Sequence, residues 1–232
     1  MQVLVFNSSP RRGRGATAGI LNRFLKGVED AGGKVELIYV SDLDIKPCRG
    51  CFTCWTKTPG KCVQSDDMAE LLPKMDSADV VVLATPVYVD GMTGSLKMLL
   101  DRFIPLESGK VELIDGHCRH PRRSGRSGDK LVLLSVCGFA EMDNFDSLVA
   151  HVKAMSKNMH RDYVGAVLRP YAWALGMPER IGIEIGDIVQ ALEDAGRQLV
   201  EEGRFYPETL ATISKELLPQ QVVAQMISSG FR

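Results

Sequence analysis

The chain has 232 residues, 45% of them apolar and 25% charged, with a formal net charge of −1. That length suffices for one α/β domain with a substantial core, and the near-zero charge gives no general affinity for nucleic acid or anionic membranes. No run approaches the roughly 18 apolar residues of a membrane span, and Met1-Gln2-Val3-Leu4-Val5-Phe6 lacks the basic start and small-residue cleavage site of a signal peptide, so a cytoplasmic protein with reduced thiols is expected.

Strand and helix patterns alternate along the chain. Gln2–Asn7 is a short apolar run, the pattern of a buried strand. Thr17–Ala31 puts Ile20, Phe24, Leu25 and Val28 on one helical face, with Gly32-Gly33 as a stop. Lys34–Val40 reads as the second strand, and the β-branched run Asp79–Ala84 as a central parallel one. Thr93–Phe103 is amphipathic through Leu96, Leu99, Leu100 and Phe103. Lys130–Val136 is a fourth strand, Asn144–Met159 a helix, and Tyr163–Leu168 a fifth strand. Asp187–Glu202 turns Ile188, Leu192, Ala195 and Leu199 inward and ends before Gly203. This alternation implies a doubly wound parallel sheet. Two segments interrupt it. Residues 41–66 hold four cysteines without periodicity, and residues 107–129, rich in Gly, Arg and His, read as a long surface loop. The expected division is one domain over 1–205 with the cysteine loop inside it. Residues 206–232 form a weakly helical extension that packs on the domain or on a neighbouring subunit.

The first βα loop, Asn7-Ser8-Ser9-Pro10-Arg11-Arg12-Gly13-Arg14-Gly15-Ala16-Thr17, carries the first chemistry. Free backbone N–H groups at a helix start make an anion site. Ser8, Ser9 and Thr17 add hydroxyls, and three arginines add charge. A phosphate at the first turn gains roughly 0.3–1 kcal/mol from the helix dipole. Gly13-Arg14-Gly15-Ala16-Thr17-Ala18 fits G-x-G-x-x-A, with Asp42 near the place of a ribose-binding acid, but five residues separate the strand from the first glycine, which argues against a dinucleotide fingerprint. No G-x-x-x-x-G-K-[ST] loop occurs, and no cysteine has an arginine six positions on.

Ser8-Ser9-Pro10-Arg11 … Gly15-Ala16-Thr17 resembles the phosphate loop of the NAD(P)H-dependent FMN reductases, and within that group the iron-sulfur flavoproteins. The resemblance runs from residue 2 to about 205. Ala16 stands where the family usually has Asn, and the loop is about one residue longer than usual. Thr85-Pro86-Val87-Tyr88 resembles the turn with which the family lines the flavin ring, and Gly91-Met92-Thr93 leads into a helix with Lys97, Asp101 and Arg102, again as in the family. Pro86 stiffens that turn and Tyr88 offers a flat apolar face with a polar tip. A third loop, Cys137-Gly138-Phe139, closes the expected site, with Cys137 a small buried residue rather than a reactive thiol. The resemblance implies a flavodoxin-like five-stranded sheet of order 2-1-3-4-5 with a cysteine-rich loop insertion. It also implies FMN held at its phosphate by Ser8, Ser9, Arg11, Gly15, Ala16 and Thr17, and at its ring by Thr85, Pro86, Val87, Tyr88 and Gly138.

Cys48, Cys51, Cys54 and Cys62 are spaced C-x2-C-x2-C-x7-C. Three thiolates at x2 intervals can take three corners of a cube, as in bacterial ferredoxins, and a fourth the last; structural zinc more often uses two separated knuckles. A [4Fe–4S] cluster, free or reversibly oxidised thiols, and zinc all remain open on spacing alone. The motif resembles that of the iron-sulfur flavoproteins, which implies a [4Fe–4S] cluster on these four residues. Asp67 with Glu70 fits a capping box at a helix start. His117, Cys118 and His120 have no matching second metal cluster, the basic stretch Arg119–Lys130 reads first as solvated, and His151 and His160 read as structural.

The expected function is therefore an FMN-dependent oxidoreductase passing electrons between FMN and a [4Fe–4S] cluster, as a homodimer or homotetramer, with NAD(P)H or a ferredoxin as redox partner. The alternative is an NAD(P)H-dependent FMN or quinone reductase without a cluster. A third is a non-catalytic binding module. No residue reads as a general acid or base.

Overall fold

The structure, a computed structural model, describes residues 1–230; Phe231 and Arg232, the end of the expected extension, lie outside the described residues. Five strands form one parallel sheet: β1 (Gln2–Asn7), β2 (Lys34–Tyr39), β3 (Val80–Pro86), β4 (Lys130–Val136) and β5 (Asp162–Arg169). Their spatial order is β2-β1-β3-β4-β5, the expected flavodoxin-like arrangement. The three central strands are buried on both faces, which is why they read as unbroken apolar runs and not as alternations.

Alternate residues of these strands feed two cores. On one face Val3, Val5, Val80, Val82, Val132 and Leu134 pack with α1 (Ala16–Asp30) and the long helix Gly186–Glu201. On the other, Leu4, Phe6, Val81, Leu83, Leu131 and Leu133 pack with α2 (Met68–Ser77), α3 (Gly94–Asp101) and α4 (Asp146–Asn158). With Gly186–Glu201 numbered α5, and the single-turn helices Thr53–Thr56 and Pro178–Ile181 left unnumbered, the last two helices are α6 (Pro207–Ser214) and α7 (Gln220–Gly230). Ile213 of α6 enters the first core, and Val223 of α7 packs with Tyr171 and Ala174. The fully buried Arg169 donates to the carbonyls of Ile213 and Lys215, both at 2.8 Å, and so fastens the end of α6 to the end of β5. Among the described residues no helix is long and apolar enough to cross a membrane.

Two local expectations are corrected. The capping box at α2 does not form, since Asp67 makes no side-chain cap bond and its carboxylate instead accepts from Asp44 N at 2.7 Å. The preceding Asp66 does the local work, accepting from Met68 N at 3.2 Å. Residues 107–129 are exposed along most of their length, as expected, but they are not a structureless loop. They contain an antiparallel pair, Glu112–Ile114 with His117–Arg119, and bury Glu107, Arg122 and Asp129. Arg122 donates to Asp76 and Asp129 at 2.9 and 2.6 Å, and a guanidinium so paired belongs inside.

Helices α1 and α5 approach until backbone meets backbone. A Cβ on Gly27 would lie 1.8 Å from the Glu193 carbonyl oxygen, and one on Gly196 would lie 2.1 Å from that of Phe24. No side-chain rotation relieves such contacts, so the helices must separate or bend. We expect Gly196→Ala to destabilise the chain by about 3 kcal/mol or more, at the upper end of overpacking costs, despite the better helix propensity of alanine. Urea unfolding measures this, and an unchanged midpoint would contradict the close approach.

Candidate functional site

The loops that follow β1, β3 and β4 meet at the carboxyl edge of the sheet, beside the point where strand order reverses, the general place for ligands in such folds. Backbone bonds draw them together. Ser8 N donates to Ala84 O at 2.9 Å, Val87 N to Val136 O at 2.8 Å, and Cys137 N to Arg169 O at 3.3 Å. The Ser135 hydroxyl adds a 2.8 Å bond to Thr85 O.

In the first loop Ser8, Ser9 and Thr17 are buried, while Arg11 is exposed. The first intrahelical bond of α1 is made by Ala18 N to Gly15 O, so the N–H groups of Ala16 and Thr17 have no acceptor within the helix. Gly15 leaves room for Ser9, since a Cβ there would lie 2.7 Å from Ser9 Oγ and the hydroxyl would have to turn away. Asn7, fully buried, accepts from Ser9 N at 3.0 Å through Oδ1 and leaves its Nδ2 unpartnered. An amide with one satisfied and one orphaned end, beside free helix N–H groups, suits a ligand oxygen. Asn7 opens the first βα loop in sequence but, as the last residue of a strand, was not among the residues expected to hold the phosphate. Arg12 does not face this loop's interior; it pairs with Asp42.

In the second loop Thr85 is buried, Pro86 and Val87 are half-buried, and Tyr88 is half-exposed. Tyr88 and Gly91 exchange both backbone bonds, at 2.9 and 3.1 Å, across Val89 and Asp90, which both have positive φ (47° and 59°). This is a type I′ hairpin turn. Thr93 then starts α3, capping Leu96 N at 3.4 Å while its own N–H donates to Thr85 Oγ1 at 3.2 Å. In the third loop Gly138 is exposed and its carbonyl accepts from Trp173 Nε1 at 2.9 Å. The buried Cys137 donates to Phe139 O at 3.2 Å, and burial pushes its thiol up, which keeps it unreactive.

Cys48, Cys51, Cys54 and Cys62 line one small cavity with Arg49 and Arg102. Left-handed backbone at Gly50 (φ 61°) and Phe52 (φ 50°) curls the segment around it. Burial pushes the Cys54 thiol up, and the charges of Cys62, Cys48 and Cys51 push it the same way, so the four sulfurs sense one another. The Thr53 hydroxyl, 3.4 Å from Cys51 Sγ, draws that exposed thiol down. Among the described residues no three His, Cys, Asp or Glu side chains gather closely enough for a single metal ion. Arg102 was read in sequence only as a family helix residue. In the fold it is 1% exposed, lies 3.3 Å from Cys62 Sγ through Nη2, and leaves Nε unpartnered beside the cavity.

The family model described as NADPH-dependent FMN reductase matches residues 1–122 of the 232. The chain belongs to the NADPH-dependent FMN reductase family. Among curated relatives, one iron-sulfur flavoprotein of Methanocaldococcus jannaschii is 39% identical over 109 residues, 47% of this chain and 55% of that protein. One from Archaeoglobus fulgidus is 35% identical over 141 residues, 61% of this chain and 58% of that protein. The chain thus spans about half the length of the curated relatives it matches. The FMN-dependent NADH-azoreductase of Bacillus anthracis, solved with FMN, superposes with TM-score 0.63 at 16% identity over 86% of this chain and 99% of that one. The NAD(P)H:quinone oxidoreductase of Methanothermobacter marburgensis gives 0.59 at 16% identity over 86% and 96%. At such identity these likenesses show the fold.

This FMN reductase family member braces its cysteine segment with the 104–124 region. Trp55 lies between the rings of Phe52 and His120, at centroid distances of 5.0 and 4.2 Å, and its indole N–H donates to Ile104 O at 2.8 Å. Arg123 donates to Pro105 O at 3.0 Å and to Cys54 O at 3.2 Å. His160 holds the brace from below, donating to His120 O at 2.6 Å.

Glu107 sits at the base of this brace, 7% exposed, and burial alone pushes its carboxyl up from 4.5 to about 7. Between those values the folded chain keeps a proton that the unfolded chain has lost, so stability falls as pH rises through the window and levels off above it. The fall is on the order of 3 kcal/mol for this group. Glu107→Gln should remove that component, so the urea midpoints of the two proteins should diverge from about pH 4.5 to 7, the glutamine form becoming the more stable. Parallel midpoint–pH curves would refute it.

Proposed function

We propose that this chain is an FMN-dependent oxidoreductase that passes electrons between FMN and a [4Fe–4S] cluster held by Cys48, Cys51, Cys54 and Cys62. The observation that carries the cluster is the convergence of all four thiols on one cavity that also receives a buried arginine. A cubane takes each thiolate at a separate iron corner, so it does not ask the sulfurs to crowd one centre as zinc does. The cluster would supply one-electron steps, and FMN when bound would supply exchange between one- and two-electron donors and acceptors.

The chain's own residues do the holding. The N–H groups of Ala16 and Thr17, the hydroxyls of Ser9 and Thr17, and the Asn7 amide form a neutral donor nest for the phosphate, with Ser8 shaping the loop through its hydroxyl's 3.2 Å bond to Ala84 O, Gly15 leaving room and Arg11 adding charge at the rim. Thr85, Pro86, Val87 and Tyr88 supply a rigid wall for the ring, and Gly138 lets the ring approach the third loop without a side chain between them. Phe52, Trp55 and the 104–124 brace limit water at the thiols. Exposed apolar side chains ring the same edge (Phe52, Val63, Tyr88, Val89, Phe139 and Met142), supporting a homodimer or homotetramer closed over the site. The setting is cytoplasmic, where thiols stay reduced, and NAD(P)H or a ferredoxin serves as redox partner.

A second reading, a plain NADPH-dependent FMN or quinone reductase, is favoured by the match of residues 1–122 to a family described by that activity alone. The two readings separate on one sample. Anaerobically purified protein, reconstituted with iron and sulfide, should show flavin absorbance with a broad additional shoulder and about four irons per chain. Cys51→Ser should lose the iron and keep the flavin. Flavin without iron in the wild type leaves the plain reductase; joint loss of flavin and fold in the variant would make the cysteine segment structural.

A further inference from the structure

Arg102 is the C-terminal residue flanking α3, and its guanidinium is 1% exposed. It bridges three parts of the cysteine segment. Nη1 donates to Lys46 O at 2.6 Å, where the segment begins. Nη1 and Nη2 donate to Asp66 at 2.6 and 3.0 Å, where it ends. Nη2 also lies 3.3 Å from Cys62 Sγ, within range for N–H···S contact. The Asp66 carboxylate, wholly buried, is completed by the backbone N–H groups of Lys46 at 3.0 Å and Met68 at 3.2 Å. The fork is therefore fixed on two sides and has one side left for sulfur.

The sequence places Cys62 eight residues beyond Cys54, outside the compact C-x2-C-x2-C turn. Local bonds, Gly60 N to Cys54 O at 3.0 Å and Thr58 Oγ1 to Lys61 O at 2.8 Å, bring the chain back toward the turn, but they do not reach the Cys62 sulfur, which Arg102 meets. Of the arginines lining the cavity, Arg49 is exposed, while Arg102 is both buried and anchored. A buried ion pair is a costly device unless well bonded, and this one is bonded at every carboxylate oxygen. Hydrogen bonds to cluster sulfurs and nearby charge set the reduction potential of such centres.

We propose that Arg102, braced by Asp66, is the positioning residue of the fourth cysteine: it holds Cys62 in place and, through its N–H donor and fixed charge at that sulfur, raises the potential of the metal group. This rests on the cluster reading above. A lysine at 102 keeps the charge but cannot span Lys46 O, Asp66 and Cys62 at once. A glutamine removes the charge.

The test is potentiometric titration of the anaerobically reconstituted full-length protein, followed by optical and EPR spectra, with iron assayed on each sample. Arg102→Lys is compared with wild type, and the pair Arg102→Gln/Asp66→Asn, which leaves neither charge buried alone, serves where the lysine variant does not fold. Bound flavin reports folding, and its potential is the internal control. We expect the variants to keep flavin and its potential, to hold iron less completely, and to lower the cluster potential. For the glutamine pair the shift should reach a tenfold change in the reduction equilibrium, about 59 mV for a one-electron couple. A purely structural role would lower occupancy while leaving the potential of the clusters that remain unchanged, and that result overturns the proposal, as does full iron at an unshifted potential. Wild type that binds no iron rejects the cluster reading itself and the inference with it.

Discussion

Buried guanidinium groups bonded to backbone carbonyls hold this molecule's long connections in place. A parallel sheet of five strands provides its own core, but the segments that leave its edge have few apolar residues with which to dock. Four buried arginines and the exposed Arg123 meet that need. Arg102 binds Lys46 O, Arg123 binds Pro105 O and Cys54 O, Arg161 binds Ala78 O and Met75 O, Arg169 binds Ile213 O and Lys215 O, and Arg122 binds Asp76 O. A planar fork with five donors can join two or three chain segments that no hydrophobic contact connects. The cost is that a fork deprived of its acceptors leaves a buried charge, and even here Arg102 Nε and Arg169 Nε and Nη2 are buried without a partner. Arg161 shows the limit of the device: buried without a directly bonded carboxylate, it has its affinity for a proton reduced by burial, to about 10.

The two halves of the proposed site are joined by one helix. The start of α3 is fixed to the flavin-side turn, since Thr93 caps it and donates its own N–H to Thr85 Oγ1. The end of α3 delivers Arg102 to the cysteine segment. The eight residues between them pack Leu96, Leu99 and Leu100 into the second core, so the helix behaves as a rod and not as a tether. The spacing between the turn that would face the ring and the cavity lined by thiols is thus set by helix length, which is insensitive to loop fluctuations.

The strands and most of the helices were legible in the sequence because each central strand is a continuous apolar run and the helices carry a 3.6-residue stripe, whereas the sheet order followed from the family resemblance. Gln2–Asn7 and Lys130–Val136 matched residue for residue, and most other boundaries moved by one or two. What stayed hidden depends on distant partners. Residues 107–129 carry the composition of a solvated loop, yet Arg122 and Asp129 are buried because Asp76, 46 residues away from Arg122, completes the pairing. Asp67 and Glu70 satisfied a capping pattern, but Asp67 was taken by Asp44 from across the segment. Gly27 and Gly196 look like liabilities in helices until the other helix is in view. The thiols of the C-x2-C-x2-C turn could be read from spacing; the arginine that meets the fourth could not, because 40 residues separate Arg102 from Cys62.

The hairpin after β3 carries a tension that the rest of the edge does not. Its type I′ geometry favours Asn-Gly at the two central positions, and here they are Val89 and Asp90. Val89 combines a β-branched side chain at φ 47° with 99% exposure, two unfavourable features at once. A surface laid over the edge, such as the proposed second copy, would remove the exposure but not the steric cost, which is of order 1–3 kcal/mol. Covering alone therefore does not account for the turn. The steric cost is borne because Tyr88 and Gly91 are locked by their paired backbone bonds, Val87 is held to β4 through Val136 O, and Thr93 is held to Thr85. With both ends fixed, two residues must reverse the chain, and here they do so through the type I′ geometry, with positive φ at both. The strain thus follows from the rigidity of the wall formed by Thr85–Tyr88, and that rigidity is what a planar ring packed against it requires.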